Sequence, residues 1–287
     1  MPDDGFHEGE LLVQRRAGVA AEAQRLAGMV SSAHLSGGMA RFVAERDLVF
    51  VTAEDDQGHL WTSPVFGPPG FAAGHDRALT MSRTVAADDP LRDLPVGRPV
   101  GVLLVDFARR RRLRVNGTVS ESGPDRLAVV VEQAYGNCPR YIHPRRLVGI
   151  GDDHDDDGEA HARRSTRLAP EDVDQIVHAD TFVLGTHHPE RGADASHRGG
   201  EPGFVRHEDG ELWWPDYPGN NLFNSLGNLA VDPAASLLFL DLDRGAVLQL
   251  SGRASVEWDA DEETGRRVRF TPELVVSSHV PYRADQD

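Results

Sequence analysis

Amide side chains gather in one short stretch of the second half of the chain. They are Asn220, Asn221, Asn224 and Asn228, joined by Ser225, and they surround a turn that we predict to open a helix. The first turn of a helix leaves backbone N–H groups unpaired, and its dipole favours anions. Ordinary helix capping is the alternative interpretation, but the stretch has more amides than capping needs. It therefore predicts a site for an anionic ligand, with Tyr217 beside it.

A second candidate segment lies earlier in the same half. It reads Ser196, His197, Arg198, Gly199 and Gly200. The two glycines would let a flat ligand approach the backbone closely. Arg198 is suited to pair with a phosphate or to donate to a ring carbonyl. A β-turn with solvated charges is the alternative.

A third segment follows a predicted helix in the first half and contains the single cysteine, Cys138. A reactive thiol needs a base or a positive neighbour, and no fixed partner of that kind is evident in the sequence. The segment instead predicts that Asn137 or Tyr141 contacts the edge of a cofactor.

Metal chemistry is not predicted. The thirteen histidines show no ligand spacing on a clear helix. The acidic run of residues 152–157 contains one of them, but like charges in sequence repel and favour an exposed connector. The glycine patterns of a P-loop or a Rossmann fold are also missing.

One pattern occurs twice in the chain, and it indicates how these segments are positioned. Ser63 and Phe71 match Ser196 and Phe204 at a spacing of 133 residues, and Leu113–Gly117 matches Leu248–Gly252 at 135. The repeat predicts a duplicated domain whose halves face each other across a pseudo-twofold axis with a site between them. Residues 64–66 replace His197, Arg198 and Gly199, so we expect the second half to carry the ligand groups.

Charged residues in the first half give two further predictions. Arg109–Arg112 lies between two predicted strands, which favours a solvated hairpin loop. Arg114 differs, because it lies inside a strand on the face opposite its apolar neighbours. Its partner in the repeat is Gln249, which we add to the candidate ligand contacts.

The predicted elements are mainly strands. Helices are expected over residues 8–30, 36–46, 88–94, 126–135 and 221–229. Strands are expected over 48–52, 59–65, 78–81, 100–106 and 113–120, and then over 181–185, 194–198, 203–207, 211–214, 236–241 and 246–256. Many short strands with glycine and proline turns predict a mainly β, α+β fold with one barrel in each half.

The expected organisation has four parts. They are an N-terminal helical segment over 1–46, a first barrel repeat over 47–150, an acidic linker over 151–170 and a second barrel repeat over 171–287. The net charge of −16 disfavours nucleic acid and anionic membranes as partners. A single cysteine, no long apolar run and no signal-like N-terminus favour the cytoplasm.

At its motifs the chain resembles the pyridoxamine 5′-phosphate oxidase-like superfamily, the FMN-binding split barrels. More narrowly, it is similar to bacterial pyridoxamine 5′-phosphate oxidase-related flavin-nucleotide-binding proteins. The residues that carry the resemblance are Phe6–Glu10, Gly136–Pro139 with Tyr141 and Ile142, Ser196–Gly200 with Pro202–Phe204, and Pro215–Tyr217 with Gly219, Asn220 and Gly227–Leu229.

The resemblance implies two tandem split barrels with FMN at their interface. It places Arg198 beside the flavin ring or phosphate, and amides such as Asn224 where family members use Ser, Arg or Lys for the phosphate. The true oxidase ends in a basic, aromatic segment, whereas this chain ends in residues 280–287 without one. We therefore expect an activity other than pyridoxamine phosphate oxidation.

The leading hypothesis is an FMN-dependent oxidoreductase that acts on a small-molecule redox substrate, forms a homodimer and binds neither nucleic acid nor membrane. FAD and the deazaflavin cofactor F420 are alternative ligands. The rival hypotheses are a carrier of flavin, F420 or haem without turnover, and a barrel pair that has no cofactor and serves in dimerisation.

Overall fold

The N-terminal segment folds as short helices before the first sheet. The computed structural model describes residues 5–30, 32–82, 86, 88–123, 125–137, 139–149, 162–259, 264–280 and 282–284. The helices are α1 (Glu8–Arg16), α2 (Ala20–Gln24), α3 (Ala27–Val30) and α4 (Gly38–Ala44). The single helix predicted over 8–30 is wrong. Gly18 adopts a positive φ of 73° just after α1, a conformation that ends the helix.

The first half continues as a seven-stranded antiparallel sheet. Its strands are β1 (Leu48–Glu54), β2 (Leu60–Phe66), β3 (Ala72–His75), β4 (Ala78–Ser82), β5 (Pro99–Asp106), β6 (Arg111–Gly123) and β7 (Arg126–Gly136). Their spatial order is β2-β1-β5-β6-β7-β4-β3. Two short strands, β8 (Leu147–Gly149) and β9 (Arg163–Ser165), follow.

The second half repeats this sheet strand for strand. After α5 (Pro170–His178) come β10 (Thr181–His188), β11 (Gly192–Gly199), β12 (Arg206–Glu208), β13 (Glu211–Pro215), α6 (Asn224–Val231), β14 (Ala234–Asp241), β15 (Ala246–Trp258), β16 (Arg266–His279) and β17 (Tyr282–Ala284). The order is β11-β10-β14-β15-β16-β13-β12, the same as in the first half, with β9 added to β16. β17 pairs with β8.

The pairing registers of the two halves also correspond. Val51 pairs with Ser63 in the first half, and Leu184 pairs with Ser196 in the second, at the predicted spacing of 133 residues. A β-bulge interrupts β6 at Asn116/Gly117, and the same irregularity occurs in β15 at Ser251/Gly252. The fold is therefore mainly β with two tandem split barrels, as the sequence predicts.

Three element predictions are corrected. Residues 126–135 form strand β7 rather than a helix, because both edges of this segment pair with neighbouring strands, β6 and β4. Residues 88–94 are turns and irregular chain rather than helix. Strand β16 was not predicted, although it pairs with β13, β9 and the whole of β15.

Each half encloses its own apolar core, and a third apolar cluster joins the halves. Phe50, Leu103 and Phe107 of the first half pack there with Val183 and Leu238 of the second. β5 contacts β11, and their repeat counterparts, β14 and β2, also contact each other. Such reciprocal contacts are the mark of a twofold relation. Within the described residues, no helix is long and apolar enough to cross a membrane.

Candidate functional site

A cleft that is open to solvent at its mouth lies between the two halves. The first half contributes Arg112, Arg114, Tyr135 and Asn137 to its lining. The second half contributes Ser196, His197 and Arg198 from β11, and then Asp216, Tyr217 and residues 219–226. The structure thus brings most of the predicted residues of all three segments to one place.

Arg114 is fixed at the floor of the cleft by the opposite half. Its Nη1 donates to both carboxylate oxygens of Asp194, at 3.2 and 3.0 Å, and its Nη2 donates to Ser196 Oγ at 2.5 Å. Burial has the largest single effect and would lower the pKa of Arg114, but the Asp194 carboxylate and Tyr135 together outweigh it, so the pKa is raised. Arg114 therefore stays a cation at physiological pH.

Asp194 organises the groups around that cation. It also accepts from Asn116 Nδ2 at 3.3 Å and from Ser225 Oγ at 3.3 Å. The carboxylate is almost fully buried and accepts four hydrogen bonds from three residues, as a buried charge requires. It therefore ties the first residues of α6 to the strands of both halves.

Arg112 is oriented by a neutral histidine. Its Nη1 donates to His197 Nδ1 at 2.9 Å, and the other ring nitrogen, Nε2, lies 2.7 Å from Thr181 Oγ1. Burial, reinforced by the nearby Arg112, lowers the pKa of His197 well below its usual value. A neutral ring with Nε2–H donating to Thr181 satisfies both contacts. His197 thus orients a cation and adds no charge itself.

Arg198 lies at the same wall in a chain of alternating charges. Its Nη1 is 3.3 Å from Asp216 Oδ1, and the other oxygen of Asp216 accepts from Arg266. Burial lowers the pKa of Arg198, although the Asp216 carboxylate acts in the opposite direction. Because Asp216 also has Arg266, Arg198 is not needed to neutralise it and is suited to an incoming anion.

The N-terminus of α6 opens into the cleft. Phe223 precedes the helix in the left-handed conformation, at a φ of 59°, and no side chain caps the helix. Asn224, Ser225 and Leu226 of the first turn line the cleft. Unpaired N–H groups and the positive end of the helix dipole therefore face the same space as the arginines.

Several buried polar atoms around the cleft have no hydrogen-bond partner among the described residues. They are Nε of Arg114, Nε of Arg198 and Oδ1 of Asn224. Buried polar atoms are usually paired, so unpaired ones at the wall of a cleft fit a site that a polar ligand completes. The guanidinium nitrogens would donate to such a ligand, and the amide oxygen would accept from it.

Aromatic side chains form one rim of the cleft. Tyr141 and Tyr217 stack with their ring centroids 5.2 Å apart, and Tyr141 Oη donates to the Pro218 carbonyl at 3.3 Å. Tyr141 is partly exposed and is not itself a lining residue, whereas Tyr217 and Asn137 line the cleft.

Besides Tyr141, four residues predicted to bind the ligand lie outside the lining. A Cβ on Gly199 would meet the Tyr141 carbonyl oxygen at 2.1 Å, and one on Gly200 would meet the Phe204 ring at 2.7 Å, so these glycines admit protein atoms. Asn228 Nδ2 donates to Thr186. Gln249 donates to Thr62, Ser63 and Asp89, on the other side of the pseudo-twofold axis. Cys138 lies outside the described residues.

The sequence prediction did not place first-half charges at the cleft. Arg111 and Arg112 belong to β6 rather than to the predicted hairpin loop. Arg112, Arg114, Tyr135, Asp194 and Asp216 were not among the predicted ligand contacts. The one available signal was Arg114, a lone charge within an apolar strand.

A His–Glu–His cluster lies behind α6. His7, Glu8 and His188 have potential ligand atoms within 4.8 Å of one another. However, Nδ1 of His7 accepts from the Gly9 N–H, and Nδ1 of His188 accepts from Glu190 and Arg191. In the neutral rings both Nε2 atoms then carry hydrogen and cannot ligate a cation. The arrangement among these described residues does not fit a metal centre.

Comparison with known proteins identifies the second half. Residues 168–271 match the family model described as pyridoxamine 5′-phosphate oxidase. This part of the chain is therefore similar to the pyridoxamine 5′-phosphate oxidase family. The match confirms the predicted resemblance, and it spans β10–β15, which include most of the cleft residues of this half. No curated protein matches the chain in sequence.

Solved structures align with parts of the chain at low identity. The haem storage protein HutZ of Vibrio cholerae is 15% identical, with 39% of this chain and 96% of that chain covered and a TM-score of 0.29. An FAD-binding protein from Mycobacterium smegmatis is 13% identical, with 42% of this chain and 99% of that chain covered and a TM-score of 0.29. General Stress Protein 26 from Bacillus anthracis is 14% identical, with 40% of this chain and 97% of that chain covered and a TM-score of 0.29.

Proposed function

We propose that this protein binds a flavin nucleotide, FMN foremost, in the cleft between its halves and acts as an FMN-dependent oxidoreductase. One observation carries the proposal. Three guanidinium groups, those of Arg112, Arg114 and Arg198, meet the uncapped N-terminus of α6 in a single cleft. In a chain of net charge −16, such a concentration of donors is suited to a phosphate-bearing ligand.

The residues present fit such a ligand. Arg198 and the first-turn N–H groups of α6 would hold the phosphate, because their donors converge and Arg198 Nε is buried without a partner. Asn224 Oδ1 and Asn137 would contact the polar edge of the ring system. The match of residues 168–271 to the pyridoxamine 5′-phosphate oxidase family model supports a flavin over other anions of similar size.

Bound FMN would supply the hydride or electron transfer, and the chain supplies position and electrostatics. Asp194 keeps Arg114 charged and fixed, and neutral His197 directs Arg112 without competing for the anion. Positive charge close to the ring would stabilise a reduced, anionic flavin and so raise its reduction potential. The reducing substrate would be a small molecule that enters through the open mouth.

Arg198→Ala tests the proposal. Loss of one charge-assisted hydrogen bond costs about 1.5–3 kcal/mol, so we expect FMN affinity to fall roughly 10- to 100-fold, measured by titrating the stripped protein. The fold should persist, because Asp216 keeps Arg266. Arg206→Ala is the matched control, since Arg206 belongs to β12, lies over the Trp213 ring of β13 and does not line the cleft.

The outcomes separate the alternatives. The oxidoreductase proposal would be supported if NAD(P)H or another donor reduced the bound flavin and an acceptor reoxidised it over repeated cycles. Stoichiometric flavin without turnover would leave a carrier. A protein that takes up neither FMN, FAD nor F420 would exclude the flavin proposal and favour an assembly module. The homodimer and the cytoplasmic location remain predictions.

A further inference from the structure

The duplication creates a second location that corresponds to the cleft. Ser63 and Gln249 occupy the positions that Ser196 and Arg114 occupy at the cleft, at the repeat spacings of 133 and 135 residues. The contacts correspond as well. Arg114 Nη2 donates to Ser196 Oγ at 2.5 Å, and Gln249 Nε2 donates to Ser63 Oγ at 2.9 Å.

A carboxylate of the chain itself fills this second location. Asp89 Oδ1 accepts from Ser63 Oγ at 2.7 Å and from the Leu91 N–H at 2.8 Å. Asp89 Oδ2 accepts from Gln249 Nε2 at 3.3 Å. Ser63 and Gln249 are each only 1% exposed, so these donors point to Asp89 rather than to solvent.

The corresponding serine hydroxyl is left without an acceptor at the cleft. Ser196 Oγ accepts from Arg114 but donates to no acceptor among the described residues. Asp89 lies in the connection between β4 and β5, and the corresponding connection between β13 and β14 contains Asn224 and Ser225 of α6. The connection between β4 and β5 therefore places a carboxylate beside its serine, whereas the connection between β13 and β14 places amide and N–H donors there.

The charges of Arg114 and Gln249 also differ between the cleft and the second location. Arg114 offers a cation, while Gln249 offers a neutral amide at the equivalent place. A neutral donor suffices for a carboxylate that is already held by a hydroxyl and a backbone N–H. A phosphate that must come from solution gains more from a guanidinium.

We propose that Asp89 is an internal anion that occupies the second site, so that the chain binds one anionic ligand rather than two. The identity of that ligand as a flavin nucleotide rests on the proposed function. The occupancy of the second site by Asp89 does not.

Chemical rescue tests the occupancy without any flavin. Asp89→Ala leaves the Ser63 hydroxyl and the Leu91 N–H without their acceptor and removes one of three acceptors of Gln249, so we expect its melting temperature to fall. Acetate or inorganic phosphate at millimolar concentrations should restore much of that loss. Asp88→Ala is the matched control, because Asp88 accepts from the Ala162 N–H instead, and it should show no such rescue. Equal responses of the two variants to the anions would overturn the proposal.

Stoichiometry provides the second measurement. Calorimetric titration of the full-length protein with FMN should give one equivalent per chain. Two equivalents of similar affinity would overturn the proposal while the flavin function stood. No binding of FMN together with specific rescue of Asp89→Ala would overturn the flavin function and support the internal anion.

Discussion

At the scale of single residues, Asn224 connects a buried carboxyl group to the cleft. Its Nδ2 donates to Glu10 Oε1 at 3.2 Å, while Glu10 Oε2 accepts from the His7 N–H at 2.9 Å. Burial raises the pKa of Glu10 to about 7. A protonated Glu10 becomes a donor, and the Asn224 amide can then turn its oxygen to it and its NH₂ group to the cleft. We expect the ligand to meet an acceptor at high pH and a donor at low pH.

Glu10→Gln should remove one component of the pH dependence of stability. The folded pKa of about 7 exceeds the unfolded value of 4.5, so the stability that protonated Glu10 contributes is full below pH 4.5 and is lost as pH rises through 7. As pH rises from 4.5 to 7, the unfolding free energy of the variant should increase by about 3 kcal/mol relative to that of the wild type. Denaturant unfolding at several pH values measures this difference.

The difference between the two proteins is the informative quantity, because His7 titrates in the opposite sense. Burial lowers its pKa from 6.5 to about 4, so its contribution to stability is lost as pH falls through that range. His7 is present in both proteins and largely cancels. Glu22→Gln, on the exposed surface of α2, is the control. The prediction would be contradicted if the difference in unfolding free energy between Glu10→Gln and the wild type did not change with pH.

At the scale of elements, α1 holds the helix that opens into the cleft. The two helices approach so closely that a Cβ on Gly227 of α6 would lie 2.6 Å from the Glu10 backbone nitrogen. Helix α1 therefore sets the position of α6 and of its unpaired N–H groups. The N-terminal segment belongs to the site, although it lies far from it in sequence.

Gly227→Ala should test this coupling. Overpacking between two backbones costs about 1–3 kcal/mol, and any shift of α6 should also weaken ligand binding. Thermal unfolding and ligand titration measure the two effects. Gly28→Ala is the control, because a Cβ there meets nothing within 4 Å and alanine favours the helix α3. Unchanged ligand affinity in Gly227→Ala would show that the packing of α1 on α6 does not affect the site.

The sequence predicts most strands but misreads the one that the bulge distorts. Leu127, Val130, Val131 and Ala134 have helical spacing, yet they belong to β7. The register shift opposite Asn116/Gly117 leaves Glu132 unpaired, so the buried positions Val129, Val131 and Ala134 depart from strict alternation. Pairing with distant strands decides the structure of this segment, and a local pattern carries no information about it.

At the scale of the whole molecule, the two halves form the site together. The sequence identifies the segments 196–200 and 220–225 from local turn and helix signals. It does not show that Arg112 and Arg114 meet them, because those contacts join residues about eighty positions apart across the pseudo-twofold axis. The repeat predicts that a site lies between the halves, but only the packing shows which strands face each other.

Gly101→Ala should disturb this packing and the site at once. Gly101 lies on β5, and a Cβ there would be 2.5 Å from Cα of Asp194, the residue that holds Arg114. We expect a loss of about 1–3 kcal/mol in unfolding free energy and weaker FMN binding. Gly136→Ala in β7, where a Cβ meets nothing within 4 Å, should stay within about 0.5 kcal/mol of the wild type. Equal stability and affinity in the two variants would contradict the role of this contact.

Both walls of the cleft come from one covalent chain. Linked domains meet at an effective concentration that their connection sets, commonly in the millimolar range, so dilution does not separate them. A cleft shared between separate subunits is lost when the assembly dissociates, and its ligand affinity then depends on protein abundance. With both walls on one chain, we expect the affinity for the proposed ligand to be independent of protein concentration.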